Sequence, residues 1–209
     1  MKLFPEYLSS IARANGLGNS VQDPGNPPAG ADLAREPVTW LFYPGMLQDS
    51  FRMWWADFGV RHACHEGIDI CFYRAGPAVS ALPPGALVPA VADGRILNIT
   101  PDLLGTTLAV AYEPDRPDRS KQGKNTGSEP RPVLVYSHLV PEPGLSTGAL
   151  VRKGQIIART FDARTRQSRL LSHLHLSCIL VPETCAGPDL NWDLFADRKR
   201  VAHVNPVFL

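Results

Sequence analysis

The sequence predicts a mainly β domain with antiparallel strand pairing. After Val38 the chain consists largely of short β-branched or alternating apolar runs, which are typical of strands, and Gly, Pro, Asp and Asn separate these runs. No long segment with helical periodicity interrupts the series, so we expect strands without crossover helices. The predicted strands lie in GIDICFY (67–73), ALVPAVADGRILNI (86–99), TTLAVAY (106–112), PVLVYSHLV (132–140), ALVRKGQIIART (149–160) and LHLSCILV (174–181).

The first 37 residues are expected to form a short helix and an irregular arm. Apolar residues recur at helical spacing over residues 1–16, and Gly16 suits a C-terminal stop. The following stretch is rich in Gly, Pro, Asn and Asp, which is typical of a linker. Residues 38–209 are therefore predicted to form the main domain.

Three further segments carry structural expectations. Residues 50–58 and 191–200 are each predicted to supply a short helix. Residues 113–132 are charged and contain four prolines and two glycines between two predicted strands. Because loops of this length in compact domains are usually functional or disordered, we expect either a flexible insertion or a loop at the rim of a groove that holds the site.

Composition excludes several classes of function. The chain has 209 residues, 44% of them hydrophobic, and a net charge of +1, which is typical of a globular protein and gives no basis for capture of nucleic acid. No apolar run is long enough for a transmembrane helix. The N-terminus MKLFPEYLSS does not predict a signal peptide, because Pro5 and Glu6 stand where an apolar region is needed. Four cysteines without a CxxC motif do not predict a disulfide scaffold.

The stretch LSHLHLSC carries two histidines one residue apart. In a strand, residues i and i+2 point to the same face, so His173 and His175 are expected to project side by side. An isolated His-x-His is compatible with a hydrogen-bonded structural pair as well as with a functional one.

A second candidate is the His-x-x-x-Asp spacing in CHEGIDI. His65 and Asp69 would lie roughly 13 Å apart in a fully extended strand, so binding of one metal by both requires a bend. Gly67, between them, is where the backbone could supply it. Imidazole and carboxylate are both accepted zinc ligands, although this spacing alone occurs often by chance. His138, in VLVYSHLV, is a third candidate that could equally be a structural histidine.

Taken in order, the motifs HEGIDI, VPAVADGRI, VYSHL, GALVRKGQIIA and SHLHLS resemble the M23 family of zinc metallopeptidases, the LytM- and lysostaphin-like endopeptidases of bacterial cell walls. The resemblance covers about residues 61–178. It implies that His65, Asp69 and His175 hold a zinc ion and that His138 and His173 act beside it as catalytic groups.

The resemblance also implies a reaction. Three protein ligands leave one zinc position open, as a catalytic site requires. A water bound there falls in pKa from about 15.7 to about 7 and becomes a usable nucleophile. A neighbouring histidine could accept its proton or stabilise the oxyanion. The implied substrate is a peptide bond in peptidoglycan cross-links or stem peptides, and the implied location is the cell envelope or the exterior.

Two other classes of function remain open at this point. The chain could be a non-catalytic module of the same family that binds or regulates, or the N-terminal arm could block the groove. It could also be a carrier or phosphotransfer module, since the sugar-phosphotransferase IIA domain has a similar β architecture and pairs two histidines. That last alternative leaves His65 and Asp69 without a role and predicts no metal.

Overall fold

In the computed structural model, which describes residues 3–18, 36–112, 130–165, 170–182 and 184–208, strands predominate as the sequence predicts. The helices are α1 (Leu3–Ala14) and α2 (Trp192–Phe195). The strands are β1 (Thr39–Leu41), β2 (Ile68–Ile70), β3 (Phe72–Ala75), β4 (Ala78–Ala81), β5 (Leu87–Pro89), β6 (Gly94–Pro101), β7 (Thr106–Tyr112), β8 (Arg131–Pro141), β9 (Leu150–Val151), β10 (Ile156–Thr160), β11 (Leu174–Val181) and β12 (Ala202–Val204).

The strands form two antiparallel sheets. The larger sheet runs in the order β12–β11–β8–β7–β6–β9, with β2 paired to β11, and with β10 paired to both β8 and β5. The smaller sheet has the order β1–β3–β4. The prediction of a mainly antiparallel β domain with a short N-terminal helix is confirmed.

Alternation along the central strands divides their side chains between two apolar cores. In β8, Leu134 and Tyr136 belong to the larger core, which lies on one face of the sheet, whereas Val133 and Val135 belong to the smaller core on the opposite face. The same alternation holds in β11. Because both faces are covered, most positions in these strands are apolar.

Helix α1 packs on the larger core rather than standing apart from it. Phe4, Tyr7 and Ile11 are buried in that core. The helix ends at Ala14, and Gly16 follows with a φ of +61°, a left-handed conformation that glycine adopts without strain. The Leu17 N–H then donates to the Ala12 carbonyl at 2.9 Å, which closes the last turn.

The helix predicted over residues 50–58 is wrong. Ala56 and Phe58 have positive φ values of 52° and 53°, and Arg52 forms an isolated bridge with Val60, so this segment is an irregular loop. The helix predicted within residues 191–200 is present as α2, where the Asn191 side chain caps the Asp193 N–H. The segment GIDICFY is not one strand, since it divides at Cys71 between the two sheets.

Some expectations fall outside the part of the chain that the structure describes. These are most of the N-terminal arm (19–35) and residues 113–129 of the insertion, while Arg131 and Pro132 already belong to β8. The four cysteines are free thiols. Within the described ranges, neither helix has the length and apolar character needed to cross a membrane.

Candidate metal centre

A bend before β2 brings His65 back towards Asp69. Strand β2 begins only at Ile68, and Gly67 lies against β11 so closely that a Cβ atom there would meet the Leu176 carbonyl oxygen. The bend closes the distance between His65 Nε2 and Asp69 Oδ1 to 3.1 Å. The expectation that Gly67 permits such a bend agrees with this geometry, although the reason is the close approach of two strands and not a left-handed φ.

The register of β2 against β11 supplies the third side chain. Asp69 pairs directly with His175 across the two strands. His175 Nδ1 lies 2.9 Å from Asp69 Oδ1 and 2.9 Å from His65 Nε2. The three predicted ligands therefore converge on one point, and all three residues are buried.

The tautomer of His65 leaves its Nε2 lone pair available to a cation. His65 Nδ1 lies 3.1 Å from the Leu47 carbonyl oxygen, which can only accept a hydrogen bond, so Nδ1 carries the proton. In neutral His65 the Nε2 lone pair is then directed at the Asp69 carboxylate, another acceptor. A metal ion among the three atoms would satisfy both, and a carbonyl bonded to the outer nitrogen is the usual partner of a metal-binding histidine.

The second oxygen of Asp69 is held from the other side. The buried Trp54 indole N–H donates to Oδ2 at 2.6 Å, and an Arg61 guanidinium nitrogen lies 3.5 Å from the same oxygen. Burial disfavours the charged carboxylate, but the charge and hydrogen bonds of the surrounding histidines outweigh it and hold the pKa of Asp69 well below its ordinary value. Asp69 is therefore ionised, with Oδ1 left for a metal.

His173 lies beside the three candidate ligands with one nitrogen free. Its Nδ1–H donates to the Leu171 carbonyl at 2.8 Å, so the lone pair is on Nε2, 3.8 Å from Asp69 Oδ1. Its ring packs edge-on against Trp54. Burial lowers the pKa of His173 to about 4, so the ring is neutral at pH 7 and can accept a proton.

His138 reaches the same site because β8 contains a bulge. Regular alternation would place His138 on the face of Leu134 and Tyr136, in the larger core. Thr106 of β7 pairs with Leu139 of β8, but Leu108 pairs with Tyr136, so β8 contains one extra residue between these two pairs. Within this bulge His138 adopts a φ of +65°. Leu139 takes the position in the core instead, and bulges of this kind often re-aim a side chain at a functional site.

The ring of His138 is 4.9 Å from that of His173 and 5.9 Å from that of His175, measured between centroids. The structure thus brings together all five residues that the sequence nominates. Their roles as ligands and catalytic groups stay predictions.

Sequence reasoning missed four residues at this site. Glu66 was passed over although it adjoins a nominated ligand, and one potential ligand atom from each of His65, Glu66 and His175 lies within 4.8 Å of the others. Asp69 is nevertheless the better ligand candidate, because its oxygen is nearer and is buried. Trp54 and Asp102 were missed because no short spacing connects them to the histidines, and Arg61, four residues before His65, was missed because an arginine side chain is not a metal ligand and gives no metal-site signal.

No family model matches the chain, and no curated protein matches it. Solved structures similar to it include lysostaphin, at 16% identity and a TM-score of 0.39, over 66% of this chain and 49% of that one. LytU has 18% identity and a TM-score of 0.41, over 84% of this chain and 99% of that one. A zinc-containing peptidase from Vibrio cholerae has 21% identity and a TM-score of 0.38, over 69% of this chain and 33% of that one.

This chain therefore spans about half of the solved lysostaphin chain and a third of the Vibrio peptidase chain. In the order of its motifs, and in the five side chains that those motifs carry, the chain resembles the M23 family of zinc metallopeptidases.

Proposed function

We propose that this protein is a zinc-dependent metalloendopeptidase that hydrolyses peptide bonds in peptidoglycan cross-links or stem peptides. The observation that carries the proposal is the convergence of His65 Nε2, His175 Nδ1 and Asp69 Oδ1 within 3.1 Å of one another. The oriented lone pair of His65 and the ionised carboxylate suit a divalent cation, and two nitrogens with one carboxylate oxygen are a zinc donor set.

The histidines beside the donor set supply proton transfer. A zinc ion held by the three ligands would act as a Lewis acid and lower the pKa of a bound water. His173 offers a neutral Nε2 that can take a proton from the attacking water. His138, whose ring lies 4.9 Å from that of His173, can take up a proton and, once charged, donate a hydrogen bond to the oxygen on which negative charge develops.

The substrate class rests on the resemblance to cell-wall endopeptidases. The geometry around Asp69 argues against the phosphotransfer alternative. That alternative has no use for a carboxylate that two imidazoles approach within 3.1 Å. A metal assay therefore separates the two functions directly.

The test combines metal analysis with hydrolysis of purified peptidoglycan followed by mass spectrometry of the fragments. We expect one zinc per chain in the wild type and a large loss of zinc in His65→Ala and His175→Ala, because two protein ligands hold a catalytic zinc poorly. His173→Ala is expected to retain zinc but to slow hydrolysis by about 10²–10⁴-fold, the usual contribution of a positioned acid or base. His62→Ala is the matched control, because His62 is exposed and close in sequence to His65.

Two results would contradict the proposal in different ways. Equal loss of zinc in His62→Ala and His175→Ala would mean that the ligand assignment is wrong. Zinc binding by the wild type without cleavage of peptidoglycan or a glycine-rich peptide would mean that the chain is a binding or regulatory module.

A further inference from the structure

The catalytic histidines differ in what holds them, and Asp102 accounts for the difference. We propose that Asp102 is a positioning residue that fixes the ring of His138 with its proton on Nδ1 and leaves Nε2 for the substrate. The inference rests on the proposed function, because it assigns His138 a working geometry in the same site.

Asp102 is itself fixed by the turn between β6 and β7. Its Oδ1 accepts hydrogen bonds from the backbone N–H groups of Leu104 at 2.8 Å and Gly105 at 2.7 Å. Its Oδ2 accepts from the Thr107 hydroxyl at 2.8 Å. The side chain is only 1% exposed, so the carboxylate is a rigid and largely water-free acceptor.

Both oxygens of this carboxylate also contact His138. Oδ2 accepts from the backbone N–H of His138 at 2.8 Å, and Oδ1 lies 3.3 Å from His138 Nδ1. An ionised carboxylate can only accept hydrogen bonds, so Nδ1 must be the protonated nitrogen. Burial disfavours the charge on Asp102, but the hydrogen bonds and charge of His138 and the bond from Gly105 outweigh it and depress the pKa of Asp102.

The backbone contact explains how the bulge is maintained. His138 has a left-handed φ of +65°, a conformation that is strained for residues other than glycine and persists where the surroundings impose it. The hydrogen bond from its N–H to Asp102 holds the backbone in that conformation. One carboxylate thus fixes both the direction from which the side chain enters the site and the tautomer it presents.

His173 provides the internal comparison. Its Nδ1–H is bonded to a neutral carbonyl, that of Leu171, whereas the Nδ1–H of His138 faces a carboxylate. A carboxylate behind an imidazole orients the ring and stabilises positive charge that forms on it during proton transfer. The two histidines are therefore suited to different steps, with His138 the one that bears charge.

The first measurement needs no variant. In ¹⁵N-labelled wild-type protein, long-range correlation of ring nitrogens should show His138 protonated at Nδ1, with the His138→Gln spectrum assigning its signals among the six histidines. A wild-type His138 with its proton on Nε2 would overturn the proposal.

The second measurement uses Asp102→Asn, which keeps the shape of the side chain and removes its charge. We expect mixed or reversed tautomers at His138, a kcat lower by about 10–100-fold, KM within about twofold and unchanged zinc content. Asp162→Asn, which changes a half-buried carboxylate paired with Arg164, is the control and should match the wild type.

A kcat within about twofold of wild type in Asp102→Asn, with the His138 tautomer unchanged, would overturn the proposal. Zinc loss in that variant would also overturn it, because the residue would then support the metal site and not His138. If the wild type neither binds zinc nor hydrolyses peptides, the proposed function fails, and the tautomer of His138 still decides whether Asp102 positions the ring.

Discussion

The hydrogen bond between Trp54 and Asp69 makes a quantitative prediction for metal binding. The indole N–H donates to Asp69 Oδ2 at 2.6 Å, and both residues are buried. Trp54→Phe removes the donor but keeps an aromatic ring for the edge-on contacts with Phe72 and His173. We expect weaker zinc binding, because Asp69 Oδ1 is then no longer fixed in the position in which it meets His65 and His175.

The magnitude follows from the type of bond. A buried hydrogen bond to a charged group contributes about 1.5–3 kcal/mol. Arg61, at 3.5 Å from the same oxygen, remains and can restrain the carboxylate in part, so the upper end of that range is not expected. Loss of a partner of a metal ligand typically costs about 10–100-fold in affinity, and we expect Trp54→Phe to fall within that range.

Competition between the protein and a chromophoric chelator measures the zinc dissociation constant directly. Trp40→Phe serves as the control, because it makes the same chemical change away from Asp69. Trp40 packs on Tyr73, where β1 pairs with β3. Zinc affinity unchanged in Trp54→Phe, in protein whose circular dichroism matches the wild type, would refute the reasoning. An equal loss in Trp40→Phe would refute it as well, since the effect would then be one of general stability.

Two further predictions concern the bend at Gly67 and the burial of His173. Gly67→Ala places a Cβ against the Leu176 carbonyl. It should lower the free energy of unfolding by about 1–3 kcal/mol and should also lower zinc occupancy. In the control Gly59→Ala, the new Cβ would make only ordinary contact with Met53 at 3.7 Å. Urea titration and metal analysis should therefore show unchanged stability and unchanged zinc occupancy. In metal-free protein, the pKa of about 4 for folded His173 against 6.5 for the unfolded chain means that only the unfolded chain takes up the proton as pH falls from 6.5 towards 4. The free energy of unfolding should therefore fall by about 3 kcal/mol over that pH window. Urea titrations should show a smaller fall in His173→Gln, and an equal fall in both proteins would contradict this.

Much of the strand pattern could be predicted from the sequence because these strands are local apolar runs. Segments 106–112 and 174–181 were predicted with the bounds that β7 and β11 have in the structure. The short strands β1, β4 and β12 were not predicted, since three or four residues with half-exposed faces give too weak an alternation. The helix expected over 50–58 is absent because Ala56 and Phe58 have left-handed backbone conformations that an α-helix excludes.

The candidate ligands could be nominated from the sequence because each pair is separated by a short interval. His65 and Asp69 lie on either side of one bend, and His173 directly precedes strand β11, whose second residue is His175. That His138 shares their site could not be worked out from alternation, which assigns it to the opposite face of the sheet. The sequence contains no local sign of the bulge that reverses this, because the bulge depends on a register with β7 and on a carboxylate 36 residues away.

The partners of the site residues share a second property, which is that they come from loops. Trp54 lies in the irregular segment before β2, and Asp102 lies in the turn between β6 and β7. A strand fixes the direction of its side chains through a two-residue period, so a short motif is enough to place His175 beside Asp69. A loop has no such period, so whether it supplies a hydrogen-bond donor or acceptor to the site depends on the path of its whole backbone. Proteins that share the histidine motifs can therefore differ in these loops, and we expect the strength of metal binding and the tautomer of His138 to vary with Trp54 and Asp102 while the five motif residues stay the same.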